Sequence, residues 1–539
     1  MVKPVAQVSC WVDGNPPEGC KPPEGFHVNK SLDEKASHQN SQLYFDLPLF
    51  PGRSITVGRD HHENDISINN PYVSRKHLVI YSVIYDLNDI QNQSPLIYVR
   101  DCQSLAGTYV DEVCIGNKDK GASPGFYLSR DVIITIKPHW RFRVSFLDHH
   151  EIKSPLTAIQ LKESSLFNHR YIISNRILGS GAFASVHLAV DAKTGRQLAC
   201  KIHDLDHLCR FPHPQDLIRR IVNETDILGK LRHPNLPTFV YAFRSKHTLY
   251  TFTELATGGD LFSMRLVRGV FTEGESKLVI LQIINAIRYL HEGKIAHRDL
   301  KPENVLLATG PHATGRIIVG DLGFARSAAS GRMVSRVGTN QYMAPEVDYG
   351  QKHGHGLAVD IWSLGMIAVF LLAPDHHIAP TNFMKMSQEA IDEWLDSVFE
   401  DPYHQGITHS CQDFIRSCLM YNPDRRIEAT EAKRHPWFEQ QSDRRQFRFH
   451  MKENAETWKP VHFISPPVQE LPDLENERNA SSQLKEQENI PRFSSPETES
   501  GKRKPMDATP GANNSHMSHY FVGSRLGGPK RLKISKNGG

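Results

Sequence analysis

From about residue 41 to 148 the chain carries short apolar or β-branched runs, among them Ile55-Thr56-Val57, Leu78-Val79-Ile80-Tyr81, Ile97-Tyr98-Val99, Val132-Ile133-Ile134-Thr135-Ile136 and Phe142-Arg143-Val144. Gly, Pro, Asn and Asp separate them, which predicts an all-β sandwich over residues 41–150. The pattern changes at 171. Strand-like runs continue to 258 around one helical stretch, Gln215 to Lys230, and helical periodicity then dominates to Phe438, predicting an α+β unit over 171–438. Its most apolar run, Ile361 to Ala373, is shorter than the roughly 20 residues a bilayer requires and reads as a buried core helix. Residues 1–40, with Pro16, Pro17, Pro22 and Pro23 among polar residues, read as a flexible segment. Residues 151–170 read as a linker, and 439–539, rich in Pro, Ser, Glu and Lys, as a disordered tail.

Composition narrows the class. The 539 residues are 39% hydrophobic and 23% charged, as in soluble globular proteins, and no apolar leader follows Met1-Val2-Lys3-Pro4. The eight cysteines form no CxxC pair and no Cys/His cluster has metal-ligand spacing, which argues against zinc and for a reducing compartment. The net charge of +3 hides an uneven distribution: beyond residue 501, eight Lys and Arg face only Asp507, so the tail is basic.

Candidate chemistry lies in the α+β unit. Leu178-Gly179-Ser180-Gly181-Ala182-Phe183-Ala184-Ser185-Val186 fits strand, glycine turn and strand, a place where backbone N–H groups can close over phosphates. Lys201, on the next strand, could neutralise the α- and β-phosphates, and Glu224 on the helical stretch could hold that lysine. His297-Arg298-Asp299-Leu300-Lys301-Pro302-Glu303-Asn304 reads as a catalytic loop. In it Asp299 accepts the substrate hydroxyl's proton, Lys301 follows the transferred phosphoryl group and Asn304 offers an oxygen to Mg²⁺. Asp321-Leu322-Gly323 supplies the second metal ligand, and Ala344-Pro345-Glu346 closes the segment.

These motifs, in this order, resemble the eukaryotic protein kinase family, whose fold is bilobal, over about half the chain. The resemblance implies an ATP- and Mg²⁺-dependent serine/threonine kinase. The nucleotide would lie against Gly179, Ser180, Gly181, Ala182, Val186 and Lys201. Thr253 matches the gatekeeper, and Glu254-Leu255-Ala256 the hinge whose backbone bonds adenine. Asp260 matches a ribose contact, with Glu303, Asn304 and Asp321 completing the site. Asp260 and Glu303 also match positions that read Arg upstream of the acceptor. Asp360 would support the catalytic loop and Arg426 would pair with Glu346. The ending His435-Pro436-Trp437-Phe438 looks like the calmodulin-dependent kinase group. Leu322 for Phe and Ala184 for a third glycine are the departures, and the alternative is an inert kinase fold serving as a scaffold.

In the sandwich, Gly58-Arg59, Ser74-Arg75-Lys76-His77 and the run from Asp101 to Val110 resemble the forkhead-associated (FHA) domain, a phosphothreonine reader. Arg59, Ser74 and Arg75 would hold phosphate and His77 would order the loop, while Ala106 replaces the usual Asn before Gly107-Thr108. The bland alternative is a packing module. FHA followed by such a kinase resembles the checkpoint effector kinases, including fungal DNA-damage and meiotic-recombination members. That resemblance implies a phosphothreonine-bearing partner, protein substrates and self-association for trans-autophosphorylation, while the short apolar run gives no reason to expect a membrane partner. Lys502-Arg503-Lys504 and Pro529-Lys530-Arg531-Leu532-Lys533 suit nuclear import, whereas DNA contact by this tail would be nonspecific. Arg444 to Lys452 is basic and aromatic and reads more simply as a C-lobe cap than as a calmodulin site. For regulation, Ser335 is expected to accept an activating phosphate that pairs with an otherwise unpaired Arg298 and with Arg220, one turn before Glu224. Thr339 is expected to contact Asp299 and the substrate.

Overall fold

The structure, a computed structural model, describes residues 3–13, 41–84, 95–120, 123–147, 156–181, 183–310, 315–322, 326–327, 340–347, 356–374, 383, 386–400, 407–439, 452, 458 and 468–474. The first unit is a sandwich of two sheets. One runs in the order Ser41–Leu49, Ala6–Asp13, Trp140–Phe146, Val132–Ile136, Thr108–Val110, Val113–Gly116. The other runs Ile66–Ser67, Ser54–Gly58, Leu78–Val83, Leu96–Asp101, Phe126–Leu128. Alternation builds the core between them: Trp140, Phe142 and Val144 point inward on one strand, and Leu78 and Ile80 on another. The segment expected to be flexible contributes a central strand, because Ala6, Val8 and Cys10 alternate inward and pair on both sides.

The second unit has two lobes. In the smaller, Tyr171–Ser180, Ser185–Asp191, Arg196–Asp204, Thr248–Glu254 and Phe239–Arg244 lie side by side in an antiparallel sheet. The helix Pro214–Lys230 crosses it, with Pro214 in its first turn and Ile221, Glu224 and Leu228 on its buried face. The larger lobe gathers helices Leu261–Arg268, Glu273–Glu292, Ala358–Leu372, Gln388–Phe399 and His409–Cys418 around one apolar core. The helix expected from Ile361–Ala373 runs Ala358–Leu372, buried nearly all round. Among the described residues no helix is long and apolar enough to cross a membrane.

The stretch read as a linker and the one read as a disordered tail both contain ordered pieces. Within the linker, Thr157 caps the helix Ala158–Ser165, and buried Glu163 accepts a 2.7 Å bond from the Tyr250 hydroxyl. Leu156 and Phe167 join Phe243, Tyr250 and Phe252 there. Within the tail, Val468–Glu470 adds a sixth strand parallel to Phe239–Arg244, and Leu471 packs into the same cluster. The Arg444 to Lys452 stretch, apart from Lys452, and the two basic clusters lie outside the described residues.

Candidate active site

Three elements bring their charges to one point between the lobes. On the strand Arg196–Asp204, Cys200 and Ile202 face the core, which turns Lys201 toward the cleft. Its Nζ lies 2.8 Å from Glu224 Oε1 and 3.0 Å from Asp321 Oδ1. Burial disfavours the ammonium, but Asp321 and Glu224 outweigh it and hold Lys201 protonated. Glu224 is pushed up by burial, with Lys201 pulling against it. Lys201 in turn draws Asp321 down to about 2, so that carboxylate is ionised. His203, buried beside Lys201, is lowered to about 3 by desolvation and that charge, and stays neutral.

The loop bearing Asp299 is anchored from below. Buried Asp360, on the helix Ala358–Leu372, accepts 2.8 Å bonds from the backbone N–H groups of His297 and Arg298, and its Oδ2 lies 2.8 Å from His291 Nε2. His297 Nε2 reaches the Gly320 carbonyl at 2.9 Å, tying this loop to the one before Asp321. Arg298 and Asp321 both have left-handed backbones, φ 69° and 54°, a strained conformation for side-chain-bearing residues that only surrounding bonds can hold. Asp299 is flanked by Lys301 Nζ, 3.0 Å from Oδ2, and by Asn304 Nδ2, 2.9 Å from the same oxygen and 2.7 Å from the Asp299 carbonyl. Burial raises the Asp299 pKa against the pull of Lys301.

The two expected metal ligands suit a hard cation. The Asn304 amide nitrogen is engaged twice by Asp299, which leaves its carbonyl oxygen as the end for a metal, and Asp321 is ionised. Among the described residues no group of three or more His, Cys, Asp or Glu could hold an ion, and Asn304 and Asp321 are the oxygen donors that would hold a hard cation such as Mg²⁺.

Around the cleft, Gly181 N–H bonds the Ala184 carbonyl at 2.8 Å to close the glycine turn next to Gly179 and Ser180, while Ala182 lies outside the described residues. Val186 and Ala199 stand on adjacent strands, and Thr253 pairs with Ala199 on the next. The Glu254 side chain is held by Arg316 and by the Thr238 N–H at 2.9 Å, and Ala256 is buried beside Ala308 and Ile318. Asp260 departs from a simple ribose contact. Its two oxygens accept from Ser263 N at 2.7 Å and Oγ at 2.9 Å, capping the helix Leu261–Arg268. Burial, with the nearby Glu303 charge, raises it to about 6. Glu303 differs: its Oε2 is buried without a hydrogen-bond partner among the described residues.

Arg426 pairs with Glu346 through two bonds of 2.6 Å. Arg298 is not without partners here, contrary to the unpaired guanidinium expected for a resting state. Arg220 lies on the helix one turn before Glu224 and its Nε has no partner among the described residues. Ser335 and Thr339 lie outside the described residues.

At the sandwich, Arg59 and Arg75 are exposed on adjoining loops joined by Arg59 N–H to the Ser74 carbonyl at 2.8 Å. The Ser74 hydroxyl accepts from Leu105 N at 2.9 Å, bridging to the third loop. Buried His77 accepts from Ser74 N at 3.1 Å through Nδ1 and places Nε2 3.3 Å from the Gly107 carbonyl, fastening two loops. A Cβ at Gly58 would collide with the Arg75 carbonyl oxygen, so this close approach needs glycine. Sequence reading missed Asn64, which donates to the Asp60 and Arg75 carbonyls at 2.7 Å, and the buried network of Asp101, Ser104 and Thr108. Asparagine in a turn is too common a signal to have singled it out.

The protein kinase domain profile matches residues 172–438 and the FHA domain profile residues 55–122. Across both units the chain is 33% identical over 400 residues to the meiosis-specific serine/threonine-protein kinase mek1 of Schizosaccharomyces pombe, covering 72% of this chain and 82% of that protein. This chain is an FHA-domain serine/threonine protein kinase. Its catalytic unit is also 35% identical over 270 residues to the calcium/calmodulin-dependent protein kinase type I of the same yeast, covering 49% of the kinase described here and 76% of that relative. A crystal structure of Rad53 1-466 in complex with AMP-PNP overlays on the kinase with a TM-score of 0.40 and 24% identity, over 80% of this chain and all of that one.

Proposed function

We propose that this kinase transfers the ATP γ-phosphoryl group to Ser or Thr hydroxyls preceded by Arg, on substrates reached by FHA capture of a phosphothreonine. The observation that carries the reading is Asp299, held between Lys301 and Asn304 while Lys201, Glu224 and Asp321 are already joined. As the acceptor oxygen bonds to the γ-phosphorus, Asp299 takes its proton, Lys301 balances charge on the moving phosphoryl group, and the bond to the β-phosphate oxygen breaks to release ADP. Asn304 and Asp321 would hold Mg²⁺, which would neutralise charge on the phosphates. The unpartnered oxygen of Glu303 supports recognition of a substrate guanidinium, a role Asp260 shares less because Ser263 occupies its oxygens.

The exposed Arg59 and Arg75 beside the Ser74 hydroxyl support phosphothreonine capture. Likeness to a meiotic kinase and the basic tail support a nuclear role in DNA-damage or meiotic-recombination checkpoint signalling. Activation is by phosphorylation of Ser335 between copies brought together on one partner, with Arg298 and Arg220 as the receiving cations. The test is phosphorylation of a peptide library by the kinase preincubated with ATP, beside Asp299→Ala, Glu303→Gln and Ser335→Ala. Wild type should select Arg upstream of the acceptor, Glu303→Gln should lose that selection, Ser335→Ala should stay weak and Asp299→Ala silent. Equal silence of wild type and Asp299→Ala would favour the scaffold, and a flat Arg profile would remove the specificity.

A further inference from the structure

The outer face of an FHA sheet would ordinarily alternate toward solvent, yet the strand Leu78–Val83 is buried at every position. Its inward residues, Leu78 and Ile80, belong to the sandwich core. Its outward ones, Val79, Tyr81 and Val83, join Leu96, Tyr98 and Tyr127 from neighbouring strands in a second cluster with Leu178, Leu188 and Leu255 of the kinase unit. Val186, expected to lie against the nucleotide, and Ala199 on the adjacent strand pack against the same cluster. Tyr81 and Tyr98 stack at 5.6 Å and Tyr127 meets Tyr98 at 5.7 Å, so three tyrosines form a row across the joint.

The polar contacts fall on both lobes. On the small lobe, Gln197 Oε1 accepts from Tyr127 N at 2.7 Å and its Nε2 donates to the Tyr127 carbonyl at 3.2 Å. At the residue that follows the hinge, Tyr81 donates to Thr257 Oγ1 at 3.0 Å, and Thr257 donates to the Pro124 carbonyl. Beyond the hinge, Arg100 Nη1 donates to Thr309 Oγ1 at 3.0 Å. The approach is close enough that a Cβ on Gly310 would press into the Tyr81 ring, and one on Gly259 would lie 2.9 Å from Val83.

We propose that the FHA domain is a working part of the nucleotide site: its tyrosine row braces the hinge from both lobes and holds the cleft at the width that binds ATP. A kinase cleft opens by rotation of the lobes about the hinge, and a rigid sheet bonded on both sides opposes that rotation. The bonds of Lys201 to Glu224 and Asp321 are formed in this braced arrangement. Without the brace the binding-competent width is a smaller fraction of the population, and apparent nucleotide affinity falls by that fraction. Tyr81, Tyr127 and Gln197 are thus positioning residues, acting through the hinge and the small-lobe sheet.

The test uses the full chain and Gly310→Ala, which pushes the Tyr81 ring away without removing a polar group. The probes are ATP in steady-state assays on a peptide and a fluorescent N-methylanthraniloyl-ADP in stopped flow. The expected result is a KM for ATP raised by about five- to tenfold, the lower range for coupled sites, with faster release of the fluorescent nucleotide and kcat within about twofold. Affinity for a phosphothreonine peptide should be unchanged, which shows the FHA domain still folded. Gln197→Ala, a half-exposed substitution that cannot empty a core, should move KM the same way to a smaller degree and serves if Gly310→Ala fails to fold. An unchanged KM, a lowered KM, or a fall in kcat with KM fixed would each overturn the brace.

Discussion

Replacing Asp360 by Asn should cripple turnover while sparing nucleotide binding. The carboxylate accepts from His297 N–H and Arg298 N–H, and its Oδ2 also faces His291. An amide of the same shape presents one oxygen and one NH₂. With the oxygen toward Arg298, the NH₂ confronts the His297 N–H, and no tautomer can relieve a backbone donor, whereas His291 can turn a bare nitrogen to it. A buried N–H left without a partner costs about 1–3 kcal/mol, and the surviving bond loses its ionic acceptor at about a further 1 kcal/mol. The sum is on the order of 3 kcal/mol, set against a loop whose Arg298 is already in a strained backbone region. If that loss is expressed in the placement of Asp299, kcat falls about 100-fold at ~1.4 kcal/mol per tenfold. The KM for ATP should stay within about threefold, well inside that same scale, because Lys201, Glu224 and Asp321 do not bond Asp360. Peptide phosphorylation under saturating ATP, with thermal denaturation alongside, measures both. Wild-type kcat and melting temperature in Asp360→Asn would refute the anchoring argument.

If Arg59 holds the phosphate as proposed, Arg59→Ala should weaken phosphothreonine-peptide binding by about 2 kcal/mol in calorimetry, the loss of one charge-assisted contact, and leave phosphorylation of a free peptide intact. Because burial raises the Asp299 pKa and the base acts ionised, kcat should fall with acidity through a value above the ordinary aspartate range of about 3.9; an acid limb at or below that range, or one unchanged in Lys301→Ala, would contradict the assignment. Glu163→Ala leaves the Tyr250 hydroxyl buried without its acceptor, and should lower stability by about 1–3 kcal/mol in denaturant unfolding. An unchanged midpoint there would mean that the Glu163–Tyr250 bond contributes nothing to the small lobe.

Motif order along the chain was enough to read both units, because a phosphate site needs glycines, a lysine, a base and metal ligands of fixed types. What spacing could not disclose was support. Nothing marks Arg298 or Asp321 as left-handed, since neither is a glycine, and Asp260 looks like a free carboxylate until Ser263 is seen to occupy it. Ala6–Asp13 escaped notice because the prolines and polar residues around it outweigh three inward side chains. The joint between the units did leave a trace. Leu78-Val79-Ile80-Tyr81 is apolar without alternation, the pattern of a sheet covered on both faces, and a free-standing sandwich would have shown polar residues at Val79 and Tyr81.

The strand Val468–Glu470 has a practical side. Without it, Phe239–Arg244 would end its sheet with a row of bare backbone N–H and C=O groups, a template for pairing with another molecule. The tail fills that template from within the same chain and seals it with charge, Glu470 against Arg244 and Asp473 against Lys246. A recombinant fragment cut where the helical lobe ends, at Phe438, uncovers the row and should associate strand to strand into soluble aggregates. One carried past Asp473 keeps it closed, so the boundary that matters for handling this enzyme lies well beyond the last residue of its catalytic fold.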